Sequence, residues 1–134
     1  MGKTISTEKI SKNLFNVYLE KAEEFHKLMK TAESQGLWNG VGLNAVHCAI
    51  SSCDALTTFY LGERSRSEKH ADVVVLLRRI PLDEINEKLR QVSSILAIKN
   101  LVEYEAREFY KEDAQRILTQ TERLYKWVKN KLPN

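Results

Sequence analysis

Proline and glycine are scarce in this chain: its 134 residues hold two prolines and five glycines. That shortage excludes long structureless linkers and a fold built from many tight turns. Cysteine is as scarce as proline, with two. Cys48 and Cys53 fall on one predicted helix, five residues and so about 140° apart around its axis. They cannot easily bridge each other, and they do not match zinc-ligand spacing. Buried free thiols in a reducing compartment are the plain expectation. No apolar run approaches membrane-spanning length. Met1-Gly2-Lys3-Thr4-Ile5 lacks the apolar run of a signal peptide. A cytoplasmic location, away from the membrane, is expected. A strong charge of one sign is also missing. The net charge of +3 permits a nucleic-acid partner without arguing for one.

What remains is helical pattern, enough for a single domain over residues 1–134. From Ser6 to Gln35, the residues Ile10, Leu14, Val17, Tyr18, Ala22, Phe25, Leu28 and Met29 make one apolar stripe. Gly36 is a good stop, and Leu37-Trp38-Asn39-Gly40 reads as a short turn with Asn39 as the next cap. Gly40 to Leu61 is apolar nearly all round, which belongs in the middle of a bundle or against a second subunit. Gly62 to Lys69 reads as a polar loop. A third helix is expected over Glu68 to Ile80. Val73-Val74-Val75 favours a strand locally, but no partner strand is visible elsewhere in the chain. Pro81 ends that helix, and Pro81-Leu82-Asp83 opens a fourth that runs to about Leu101. A break near Arg107 to Lys111 precedes a fifth helix, about Glu112 to Lys131. The expected fold is all-α: an up-and-down four-helix bundle with an additional short helix.

The second helix carries one polar line. Asn44, His47, Ser51, Asp54 and Thr58 are spaced three, four, three and four residues apart, so they share a face. Either this is the side of a central helix that meets water, or it lines a cleft or subunit interface. Its lack of Lys, Arg and Glu favours the partly buried, hydrogen-bonded alternative. Just beyond it stand Arg64, Arg66 and His70. They are either a solvated charged turn or a cation and an imidazole that converge on one anion. A guanidinium can hold a phosphate through two parallel hydrogen bonds. A neutral imidazole can accept a hydroxyl proton near pH 7. Those are the parts needed to cleave RNA without a metal.

Elsewhere the chemistry is thin. His26 reads as a packed or boundary residue, while His47, in the polar line, is a possible second functional imidazole. Trp38 and Trp127 read as packing residues. No His and carboxylate spacing implies a metal, no glycine loop has the lysine and strand of a phosphate cradle, and no serine sits in a nucleophile elbow. Neither cofactor nor metal is expected.

Arg64-Ser65-Arg66-Ser67-Glu68-Lys69-His70 resembles the motif of the HEPN family of small all-α proteins: an arginine, about four to six residues, then a histidine, after the second long helix. Arg64 and His70 enclose five residues, whereas Arg66 and His70 enclose three. Ala45-Val46-His47-Cys48-Ala49-Ile50, Asp54-Ala55 and Tyr60-Leu61-Gly62 look like the helix that precedes the motif in small prokaryotic members. The resemblance implies a homodimer that brings two motifs into one cleft, with either metal-independent RNA cleavage or RNA or nucleotide binding. It implies that Arg64 engages the scissile phosphate and that His70 transfers a proton. Ser65 and Asp54 would orient them, with Arg66 an auxiliary charge and Ser51 and His47 further support. In the branch paired with a nucleotidyltransferase antitoxin, a tyrosine follows the histidine by two residues. Here that position is Asp72, which argues against that partner and against regulation through that tyrosine. A carboxylate there would hold His70 protonated, as a general acid requires. The alternatives are a non-catalytic nucleotide- or protein-binding module, and a structural partner whose apolar second helix docks on another chain.

Overall fold

The computed structural model describes residues 5–66, 71–106 and 108–133. Their elements follow one another as β1 (Thr7–Lys9), a 3-10 turn (Lys12–Leu14), α1 (Phe15–Ser34), α2 (Trp38–Leu61), β2 (Glu63–Ser65), α3 (Ala71–Leu77), α4 (Ile85–Tyr104) and α5 (Lys111–Lys131). The fold is all-α apart from one two-stranded antiparallel ribbon between β1 and β2.

α2 is the central element. It packs against α1, α4, α5 and α3. Val41, Val46 and Leu56 are fully buried, as are Met29 of α1, Ile95 of α4 and Leu124 and Val128 of α5. Each such side chain contributes about 1.5–3 kcal/mol of burial free energy. Much of the apolar circumference of α2 is therefore covered within the chain. Tyr60 secures its far end by donating a hydrogen bond from its hydroxyl to the Lys131 carbonyl at 2.7 Å. Cys48 and Cys53 are free and buried. No helix among the described residues is long and apolar enough to cross a membrane.

The last helix follows its sequence pattern closely. Ala114, Ile117, Leu118, Thr121, Leu124, Tyr125 and Val128 are all buried along α5. Its start is fixed by Asp113 Oδ2, which accepts a hydrogen bond from the Tyr110 backbone N–H at 3.0 Å. Val73-Val74-Val75 is helical, because α3 packs on α2 and α4 and packing outweighs a weak local preference. The residues expected to open that helix, from Glu68 to His70, lie outside the described ones.

Several boundaries differ from the sequence pattern. The expected single helix over Ser6 to Gln35 begins only at Phe15, because residues 7–9 give their backbone groups to β2 instead. Ser11 then sits in extended backbone before the 3-10 turn. The loop expected after Gly62 is, for three residues, the partner strand that the sequence had not revealed. Neither three-residue strand is long enough to display an alternating pattern. The turn expected at Leu37 to Gly40 is shorter: Gly36, at φ +70, ends the first helical run, and α2 already starts at Trp38. α4 starts at Ile85 rather than Pro81 and continues to Tyr104 rather than Leu101. The break before α5 falls between those helices as expected, with Arg107 itself outside the described residues.

Candidate functional site

Gly62 creates the site. It caps α2 in the left-handed region, at φ +64, and its N–H bonds the Thr58 carbonyl at 3.0 Å. Its carbonyl accepts from Ile10 N–H at 2.9 Å, so the chain leaves α2 directly as β2. In the ribbon register Arg64 lies opposite Glu8, and cross-strand partners share a face. Arg64 Nη1 donates to Glu8 Oε1 at 3.2 Å, and Arg64 Nε donates to Asp54 Oδ2 at 3.2 Å. The guanidinium carbon lies 5.0 Å from the centre of the Tyr18 ring, within cation–π range. Arg64 is thus held by three elements, while its side chain stays 34% exposed. No described residue accepts a hydrogen bond from Nη2.

Burial governs the titration of this cluster. Asp54 is 5% exposed, and burial pushes its carboxyl up to about 6, with the Arg64 charge and hydrogen bond pulling it back. At neutral pH it is mostly ionised and pairs with Arg64. Burial opposes the charge on Arg64, yet Asp54, Tyr18 and Glu8 together hold its pKa above the ordinary value. Burial likewise raises the Tyr18 hydroxyl, against the pull of Arg64. The arrangement presents one edge of a fixed cation, which is what a phosphate oxygen needs.

The polar line of α2 divides in two. Ser51, Asp54 and Thr58 are buried and Asn44 and His47 are half-buried, so this is not the water-facing side of the helix. Thr58 Oγ1 is buried without a hydrogen-bond partner among the described residues. Asn44 turns back to its own helix, donating to the Gly40 carbonyl at 2.8 Å. His47 stands seven residues before Asp54, about 10 Å along the axis. Its ring stacks on Phe25, with centroids 5.1 Å apart and planes at 28°. Burial lowers its pKa, with help from Lys99. His26 is a boundary residue, stacked on Tyr125 and 3.3 Å from Glu122 Oε1.

Of the residues expected at the site, the structure joins Asp54 and Arg64. Ser65 is the next residue along β2, and Arg66 is exposed, tied down by its backbone N–H to the Ser6 carbonyl at 2.9 Å. His70 lies outside the described residues. Asp72, in the first turn of α3, is buried. Among the described residues, no three His, Cys, Asp or Glu side chains gather as a metal site would require.

Two members of the cluster were not legible as such. Tyr18 read as an ordinary member of the apolar stripe. Glu8 was hidden by the assumption of one continuous helix. The signals for a later helix start were the β-branched Ile5 and Thr7 and the turn-forming Ser11 and Asn13.

Comparison with curated proteins gives no match, and neither does comparison with solved structures. The family model described as HEPN domain matches residues 15–131, a span that contains Tyr18, Asp54, Arg64 and His70. An all-α bundle around α2 and a match over most of the sequence agree, and the chain belongs to the HEPN family.

Proposed function

We propose that this HEPN domain binds RNA through Arg64 and cleaves it without a metal ion, as a homodimer with two such sites in one cleft. The observation that carries this reading is the fixed guanidinium of Arg64, held by Asp54 and Glu8 with one edge still available. In this reading Arg64 binds a non-bridging phosphate oxygen and stabilises the charge that develops there. His70 in its neutral form takes the proton of the 2′-hydroxyl. The 2′-oxygen attacks phosphorus to form a 2′,3′-cyclic phosphate, the bond to the 5′-oxygen breaks, and the departing 5′-oxygen takes a proton from water. Asp54 positions Arg64, Ser65 and Arg66 follow it along the chain, and Ser51 supports Asp54 from one turn earlier. His47 has a separate role as a packed imidazole between α1 and α2.

The test is incubation of purified protein with single-stranded RNA in chelator, beside an Arg64→Ala/His70→Ala double variant. The expected result is cleavage by the natural chain and none by the variant. Equal cleavage by both removes these residues from the mechanism.

One observation favours binding without cleavage. Glu8 already occupies Nη1 of Arg64, so an incoming phosphate must compete with a carboxylate. In that reading RNA or a nucleotide raises the melting temperature and no product forms.

A further inference from the structure

A second concave surface lies between α3 and α4, and none of its lining residues belongs to the Arg64 cluster. It is an open groove of about 620 Å³. Val74 lines it from α3, and Arg78 from the turn that directly follows α3. Asn86, Arg90, Ser93 and Ser94 line it from α4, and Leu89 forms its floor. The spacing explains the convergence: Asn86, Arg90 and Ser93 or Ser94 recur every three or four residues, and so do Val74 and Arg78.

The charge in this groove is one-sided. Neither Arg78 nor Arg90 makes an ion pair with a described residue, and no carboxylate is among the lining side chains. Their neighbours are otherwise engaged: Arg79 reaches Glu63 at 3.8 Å, and Glu84 is taken by Lys131 at 3.5 Å. The smaller hollow between α4 and α5 shows the contrast. There Arg116 is paired with Asp113 at 3.9 Å, so its cation is already balanced. Two unbalanced guanidinium groups and an amide and two hydroxyls facing one groove make a surface for an oxyanion. No aromatic ring lines it, so it has no stacking platform for a base. The recognised part of a ligand is then its phosphate and not its base.

We propose that the α3–α4 groove is a second phosphate-binding site, in which Arg78 and Arg90 hold phosphates of a nucleic-acid strand or of a free nucleotide. The site does not depend on Arg64, and the two can fail separately.

The experiment is fluorescence anisotropy with a labelled 12-nucleotide single-stranded RNA in chelator, from 50 to 200 mM salt, with pyrophosphate binding measured in parallel by calorimetry. The chains compared are the natural one, R78A/R90A, R64A, and R123A/K126A, which removes equal charge from exposed positions on α5. Both groove arginines are exposed, and far-UV circular dichroism checks that each variant is folded. The expected result is RNA binding about tenfold weaker in R78A/R90A. The slope of log K against log salt should also be shallower by about 1.4, from two lost contacts at about 0.7 each. R123A/K126A should stay within about threefold of the natural chain. A loss confined to pyrophosphate also supports the groove and identifies the free nucleotide as the source. Three results overturn the proposal: no loss for either ligand in R78A/R90A, an equal loss in R123A/K126A, or no binding of either ligand by the natural chain. Weakening by R64A alone overturns the groove and leaves the Arg64 reading standing.

Discussion

Arg64 and Asp54, ten residues apart across the end of α2, meet in a hydrogen-bonded ion pair at 3.2 Å. One partner is nearly inaccessible to water and the other is a third exposed. Such a pair fixes the guanidinium more than it stabilises the fold, because desolvating the carboxylate offsets much of the attraction. The raised pKa of Asp54 expresses the same balance.

A pH dependence follows. The Asp54 carboxyl ordinarily titrates near 3.8 and here near about 6. Its contribution to stability is therefore fully present below about 3.8 and is lost as pH rises through about 6. The total is on the order of 3 kcal/mol, at about 1.36 kcal/mol per pH unit of displacement. Asp54→Asn cannot titrate and should lack this loss. Urea unfolding of both chains between pH 4 and pH 7 checks it. The difference in unfolding free energy should shift in favour of D54N as pH rises, and a constant difference contradicts the assignment.

Glu8 competes with any anion for Arg64. Glu8→Gln removes the competing charge at a position 39% exposed, where an ion pair contributes under about 1 kcal/mol to stability. RNA affinity should rise about threefold with little change in melting temperature. Unchanged or weaker binding, measured by anisotropy, shows that Glu8 does not restrain the guanidinium.

Gly62 sets the direction of β2. A side chain there is forced into the left-handed region, at a cost of about 1–2 kcal/mol, while an added Cβ meets nothing closer than the Ile10 carbonyl at 3.5 Å. Gly62→Ala should lower unfolding free energy by that amount through backbone strain alone. A variant as stable as the natural chain in urea would mean that the turn relaxes and the ribbon is not fixed by it.

These residues also show what the sequence could and could not reveal. The heptad-like spacing of Ala114 to Val128 and the apolar run of α2 gave the bundle directly, because burial imposes a period that survives in the sequence. The spacing of Asp54 on the polar line and of Arg64 beyond the helix end brought both residues into view. The ribbon did not announce itself. Strands of three residues carry no period, and the pairing of Glu8 with Arg64 is a contact across 56 positions that no local pattern encodes. Tyr18 belonged to a real apolar stripe and so concealed its second role against the guanidinium.

The most direct measurement is the affinity of Arg64 variants for a short single-stranded RNA in chelator at pH 7. Arg64→Ala leaves Asp54 buried without its partner, so R64A/D54N is measured beside it, with R64K retaining the charge. Both chains without the arginine should bind at least about tenfold more weakly than the natural chain, and R64K should recover part of the loss. Equal affinity in folded R64A/D54N and in the natural chain would contradict the assignment of Arg64 as the phosphate-engaging group.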